Sequence, residues 1–376
     1  MHTHCFVIEG SDLAALLAAL KSKLSESTRG MIVLATSDNS WSMAGFEEWI
    51  NQVDIPIAGG FFPGVIFGDQ SFLKDALVVM SYDDPIETRI ISNLSAGERA
   101  IETQISGIKP KGSEGCNALI LIDGLSQNIE RFTDVFYREL GESASVLGGG
   151  AGSLDFIQKP CIFTNEGIVA DAAVIIKFPN NLSVGIQHGW QVAAGPHLVT
   201  KSDGVIVEAL NYQSAVQVYQ NEIDAYGAHT LDVDAFFDVA KGYPLGIEKL
   251  DAETLVRDPI KTQNDALVCV GEVPENAMIY LLVGEHDKLI QAARGATQMA
   301  VELNHQTASK AEWCFTVDCI SRVLFLEERF GDELKAISQS LPDHLTNVGI
   351  LSLGEIGNVR CGPIEWLNKT TVIGLM

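Results

Sequence analysis

Two glycine-rich stretches constrain this chain more than any other feature: Ile57-Ala58-Gly59-Gly60-Phe61-Phe62-Pro63-Gly64 and Val146-Leu147-Gly148-Gly149-Gly150-Ala151-Gly152-Ser153. Each closes a β-α-type segment with an apolar pair followed by glycines. Each then leads through a short apolar strand, Val65–Phe67 or Cys161–Thr164, to a second one preceded by an acid-alanine pair, Asp75-Ala76 or Asp171-Ala172. Glycine permits backbone conformations and close approaches that a Cβ forbids. The repeated order therefore reads as an internal duplication. It places two similar glycine bends on corresponding edges of one sheet or of paired sheets.

The rest of the pattern is consistent with this. Phe6-Val7-Ile8 reads as a strand, and Asp12 caps a helix whose buried stripe is Leu13, Leu16, Leu17, Leu20 and Leu24. Met31–Ala35 is a buried strand, which completes a β-α-β order. A helix and then the loop Lys109–Gly115 fill residues 84–115. Ala118–Gly124 is a strongly apolar strand, and Ile129, Phe132, Phe136 and Leu140 fall at helical spacing after it. Pro179-Asn180-Asn181 and Lys201-Ser202-Asp203-Gly204 read as hairpin turns; Tyr243–Gly246 and Val256–Pro259 read as fixed turns. A long helix begins near Ser321. The fold class expected is α/β, mixed α+β, with two lobes of mixed sheets flanked by helices. The division expected is residues 1–215 and 216–376.

Composition excludes several function classes. Hydrophobic residues make up 47% of the 376, with 20% charged, which suits a packed globular protein. The formal charge of −24 repels phosphate backbones and anionic lipid headgroups, so nucleic acid and membrane surfaces are poor partners. The first residues lack a basic segment, and Glu9 and Asp12 interrupt the apolar run, so no signal peptide is expected. Seven cysteines at wide spacing do not form a disulfide framework, which points to a reducing cytoplasm.

Candidate chemistry is sparse. Gly148–Gly152 follows a helix and precedes a strand, the reverse of a dinucleotide fingerprint. Its glycines, Gly149 and Gly150 among them, instead suit a cleft where backbone N–H groups meet a ligand. His2-Thr3-His4-Cys5 offers a loose metal site at best, and Cys314, Cys319 and Cys361 read as buried structural thiols. His188 sits in an apolar strand and shares a face with Ile186 and Trp190, surroundings that suit either a core histidine or an axial haem ligand. His197, after Gly195-Pro196, is the second choice. Arg322 and Glu355 suit either a clamp for the charged ends of an amino acid-like ligand or an Arg–Glu pair pinning the last strand. No Ser-His-Asp arrangement, paired catalytic acids or phosphate-binding loop appears, so no enzyme activity is expected.

The ordered set of Gln187-His188-Gly189-Trp190, Leu198-Val199-Thr200, Ala215–Tyr219, Tyr243-Pro244-Leu245-Gly246, Val256-Arg257, Gly271-Glu272-Val273, Asp318–Arg322, Glu327-Glu328, Gly349–Ile356 and Asn368–Val372 resembles the FIST family. The resemblance spans nearly the whole chain and is strongest from residue 118 onward. It implies a FIST N-terminal and a FIST C-terminal domain in a sensory protein of signal transduction that binds a small ligand. Gly59–Gly64 and the His188 motif resemble the free-standing subgroup that binds haem and senses nitric oxide. That likeness implies haem b on His188 beside Trp190 and a sensor histidine kinase, or another signalling protein, as partner. The alternative is a sensor of a small polar metabolite such as an amino acid, without haem, held by Gly149, Gly150, Arg322 and Glu355. A homodimer is compatible with either.

Overall fold

The computed structural model describes residues 3–108, 117–141, 144–178, 181–227, 235–249, 254–307, 310–359 and 362–376. The chain forms three six-stranded mixed sheets, a barrel and flanking helices, a mixed α+β architecture. The first sheet runs Thr3–Glu9, Ala76–Tyr82, Gly30–Thr36, Ile57–Phe62, Ile162–Thr164, Gly167–Val169. The second runs Glu87–Ser92, Ala172–Phe178, Asn117–Asp123, Ser145–Ala151, Glu355–Gly357, Glu365–Leu367. The third runs Ser183–Gln187, Thr371–Leu375, Trp313–Cys319, Thr346–Ser352, Gly64–Phe67, Gln70–Phe72.

These three sheets repeat one topology. In each, the two central strands are parallel and every other neighbouring pair is antiparallel. Helix crossovers join the parallel pairs, for example Met43–Asn51 in the first sheet and Ile129–Leu140 in the second. The last two strands of each sheet form a hairpin lent by a different segment of the chain. Residues 162–169 complete the first sheet, 355–367 the second and 64–72 the third. The echo heard between two stretches of sequence is therefore two parts of a threefold ring. The third copy is carried by residues 183–187 and 286–375.

Alternation along the strands explains the packing. Leu119 and Leu121, Val174 and Ile176, Phe315 and Val317, and Val348 and Ile350 join one core shared by all three sheets. Their neighbours Ile120, Ile122 and Ile175 face helices Glu98–Ile105 and Ile129–Leu140 instead. Cys314, Leu351 and Ile373 face the helices of the third sheet. Strands buried on both faces read as continuous apolar runs, which is why Ala118–Ile122 looks so apolar in sequence.

The barrel, Gln191–Val283, is inserted into the third copy between its first strand and helix His286–His305. Its strands pair Gln191–Asp203, Met278–Val283, Leu245–Ile247, Leu255–Gln263, Ala266–Val270 and Ile206–Leu210, and the last returns to the first. Helix Ala215–Ala225 plugs it with Val218, Tyr219 and Ile223. Residues on both sides of the 215/216 division share the second sheet, the third sheet and the barrel.

Several local expectations change. Gly59-Gly60 and Gly148–Gly150 lie inside strands rather than bends. A Cβ on Gly59, Gly148 or Gly349 would overlap the carbonyl oxygen of Val33, Ile120 or Thr316, its register partner on the neighbouring parallel strand. Ala172–Phe178 and Ser183–Gln187 are not a hairpin but belong to different sheets, and Pro179-Asn180 lies outside the described residues. Val256–Pro259 is part of strand Leu255–Gln263, not a turn. The helix expected from Ser321 is interrupted: Ile320–Leu326 ends at Glu327, with φ of 50°, before Phe330–Ser338 begins. Within 84–115, strand Glu87–Ser92 precedes helix Glu98–Ile105, and residues 109–115 lie outside the described residues.

Candidate functional site

The carboxyl ends of the parallel strands gather at one end of the three-sheet body. Register places Thr36, Asp123 and Cys319 at corresponding positions there, each on the first strand of its parallel pair. Ligands favour the carboxyl ends of parallel strands because the loops that follow diverge and leave a crevice. Here the crevice is a cavity of about 730 Å³ between that end and the barrel. The body contributes Gly124–Glu130, Cys319–Ser321, Leu353-Gly354 and Asn368; the barrel contributes Asp203–Ile206, Asp258, Ile260 and Cys269–Glu272. A second cavity of about 550 Å³ lies alongside and shares Leu125, Ile320 and Leu324 with the first.

Asp258 is the polar residue the fold holds most tightly at this cavity. It sits mid-strand in the barrel, 1% exposed. Its Oδ2 accepts from Ser321 Oγ at 2.8 Å and lies 3.2 Å from Lys369 Nζ. Burial raises the Asp258 carboxyl above the usual carboxylate range, and Lys369 opposes the rise. Lys369 is fully buried; its Nζ also donates to Lys241 O at 2.9 Å and lies 5.0 Å from the Trp190 ring centroid.

Lys369 connects the cavity to the junction between barrel and body. Its carbonyl accepts from Trp190 Nε1 at 3.0 Å and from Arg322 at 3.1 Å. Arg322, with no exposure, donates further to His188 O at 2.6 Å, to Leu289 O at 3.0 Å and to both oxygens of Glu333 at 3.0 and 2.5 Å. Asp318 lies 3.3 Å from Arg322 Nε. Arg322 thus ties the incoming crossing, His188-Gly189-Trp190, to helix His286–His305 beyond the outgoing one. Its planar fork is filled by the protein itself.

The expected site residues divide accordingly. Arg322 pairs with Glu333, not Glu355, and lines neither cavity. Glu355 is fully buried and accepts from Ser352 Oγ at 2.8 Å and Thr370 N at 3.1 Å. Burial pushes its carboxyl up to about 8. Gly149 and Gly150 let strands meet: a Cβ on Gly149 would lie 2.7 Å from Val317 Cγ1, and Gly150 N donates to Gly354 O. The cavity takes other glycines, Gly124, Gly204, Gly271 and Gly354.

The two histidines do not fit haem iron. His188 Nδ1 accepts the Trp190 N–H at 2.9 Å, and the ring also bonds the backbone of Thr254. Burial and the charge of Arg322 hold it down to about 4, so the ring is neutral yet has no lone pair turned to an open space. His197 Nε2 lies 3.1 Å from Glu222 Oε1, and its Nδ1 lies 3.0 Å from Asn211 Nδ2. Neither histidine lines a described cavity. Trp190 packs on Phe325 and Lys369 in the junction. Among the described residues, no group of three His, Cys, Asp or Glu side chains is placed to hold a metal ion. His2 and Cys361 lie outside the described residues, and Cys314 and Cys319 are buried thiols.

Asp258, Lys369 and Glu272 escaped the reading of the sequence. For Asp258 the signal was a charge embedded in the apolar start of strand Leu255–Gln263; Lys369, in the bend before Thr371–Leu375, and Glu272, just past Ala266–Val270, carried no such signal.

Two family models match the chain: the FIST N domain over residues 31–213 and the FIST C domain over residues 215–358. No curated protein matches it. No helix among the described residues is long and apolar enough to cross a membrane.

Proposed function

Because the chain belongs to the FIST family of sensory signal-transduction domains, we propose that it senses a small polar molecule in the cavity between the barrel and the three-sheet body. The observation that carries this reading is the placement of Asp258. A buried carboxylate faces a cavity of about 730 Å³ and is joined through one lysine to the crossing between the two bodies. A ligand contact there acts on Lys369, and Lys369 acts on Trp190 and Arg322. A ligand shifts such a protein only through its different affinity for two arrangements of the bodies. The barrel-to-body junction is the element that supplies them. Output then passes to a separate signalling protein, with a sensor histidine kinase as the expected class. Haem has no support here, since neither His188 nor His197 lines a described cavity that could take it.

The test is a thermal-shift screen of small polar metabolites against the protein and an Ile260→Trp variant, in which a large ring fills the cavity from the barrel wall. A hit should raise the wild-type Tm by several degrees, as a ligand at about 100 times its Kd adds roughly 2.7 kcal/mol. Ile260→Trp should abolish the shift. Hits that shift both proteins equally place binding elsewhere and end the proposal.

A further inference from the structure

We infer that the cavity is built for an organic cation, a ligand that presents an amine to Asp258 and has no carboxylate at that end. The inference rests on the cavity reading above and adds the chemical class. Asp258 uses only one of its oxygens within the protein. Oδ2 receives Ser321 and Lys369, whereas the buried Oδ1 has no hydrogen-bond partner. Buried acceptors are almost always satisfied, so an unpaired one on a residue that lines a cavity marks the place of a donor.

Charge decides which donor. Glu130, Asp203 and Glu272 line the same cavity, and among its described lining residues there is no Lys, Arg or His. The nearest cations are already committed. Lys369 serves Asp258 itself. Arg257, 2% exposed, donates to Glu272 O at 2.9 Å and Trp366 O at 3.0 Å, with Glu130 3.7 Å away. Among the described lining residues a ligand carboxylate would meet four carboxyl groups and no cation. An ammonium would gain a charge-assisted bond at Oδ1 and a favourable field from the other three. Ile206, Ile260 and Leu324 offer apolar wall for a methylene chain. An ammonium on Oδ1 also competes with Lys369 for the same carboxylate, which loosens the link to the junction.

Isothermal titration with three probes of matched length tests this: 1,5-diaminopentane, 5-aminopentanoate and glutarate. The diamine should bind most tightly and lose affinity as salt rises, and glutarate should not bind. Asp258→Asn should weaken the diamine by about 10-fold or more, the scale of a lost charge-assisted bond. Asp258 also compensates Lys369, so that variant risks misfolding. Glu272→Gln, on a half-buried rim position, is the second arm and should weaken the diamine roughly 3-fold with an unchanged Tm. Tighter binding of glutarate, binding of none of the three, or diamine affinity untouched by both variants overturns the amine assignment. Glutarate binding that Ile260→Trp abolishes would overturn the amine and keep the cavity. Diamine binding that survives Ile260→Trp would overturn the cavity itself.

Discussion

At the scale of the residue, the centre of the molecule is a set of buried charges whose protonation is set by burial. Glu355 has its folded pKa raised to about 8 from an ordinary 4.5. The folded state therefore holds a proton that the unfolded state releases. Its contribution to stability is present in full below about pH 4.5 and is lost as pH rises through 8. His188 works in the opposite sense, with its folded pKa lowered to about 4 from 6.5. Its contribution is present above 6.5 and lost as pH falls through 4. Urea midpoints should thus fall on both sides of a plateau at about pH 4.5–6.5, where the two slopes oppose, and Glu355→Gln should flatten the limb between about pH 6.5 and 8 relative to wild type. A variant with an unchanged alkaline slope would remove Glu355 from this role. Arg322 gives a second prediction. Arg322→Ala leaves Glu333 buried without its partner and should cost about 3–5 kcal/mol in urea unfolding. Replacing both partners, Arg322→Met with Glu333→Leu, should recover only the share due to an unpaired Glu333, because burial favours neutral Asp318 and Glu355 whereas His188 O, Leu289 O and Lys369 O still lose the guanidinium. Arg322 and Glu355 were visible in the sequence as unusual charges. Their roles were not, because what distinguishes a clamp from a pin is whether an open cavity reaches the guanidinium.

At the scale of the element, the glycines on the second strand of each parallel pair are the common signature of the three copies. Gly59→Ala, Gly148→Ala and Gly349→Ala each force a methyl into a facing carbonyl and should each cost on the order of 3 kcal/mol, read as a lowered urea midpoint or lost soluble yield. Gly331→Ala is the control. It lies in helix Phe330–Ser338 with open space around its position and should be neutral or stabilising by about 0.5 kcal/mol. The strands and most helices were legible from periodicity, as Ile129–Leu140 shows. The glycine runs were misread as bends because glycine marks close backbone approach and turns alike, and only the neighbouring strand tells them apart. The third copy stayed hidden because the barrel separates its first strand from its helix.

At the scale of the whole molecule, the three copies are not separable. The second sheet needs Glu355–Gly357 and Glu365–Leu367, and the third needs Gly64–Phe67 and Gln70–Phe72. Fragments 1–213 and 215–376, expressed alone, should therefore lack cooperative unfolding and bind hydrophobic dyes, whereas the two co-expressed should recover native-like circular dichroism. A fragment 1–213 that melts cooperatively by itself would contradict the shared sheets. The mixed fold class was legible from the β-α-β order. The ring was not, since pairings so distant in sequence leave no local periodicity. The lent hairpins also set a timetable for synthesis. As the chain leaves the ribosome, Gly64–Phe67 emerges long before its partner Thr346–Ser352. In the interval between the two, the nascent protein carries an apolar hairpin with an unsatisfied edge, the kind of surface on which chaperones act and aggregation begins.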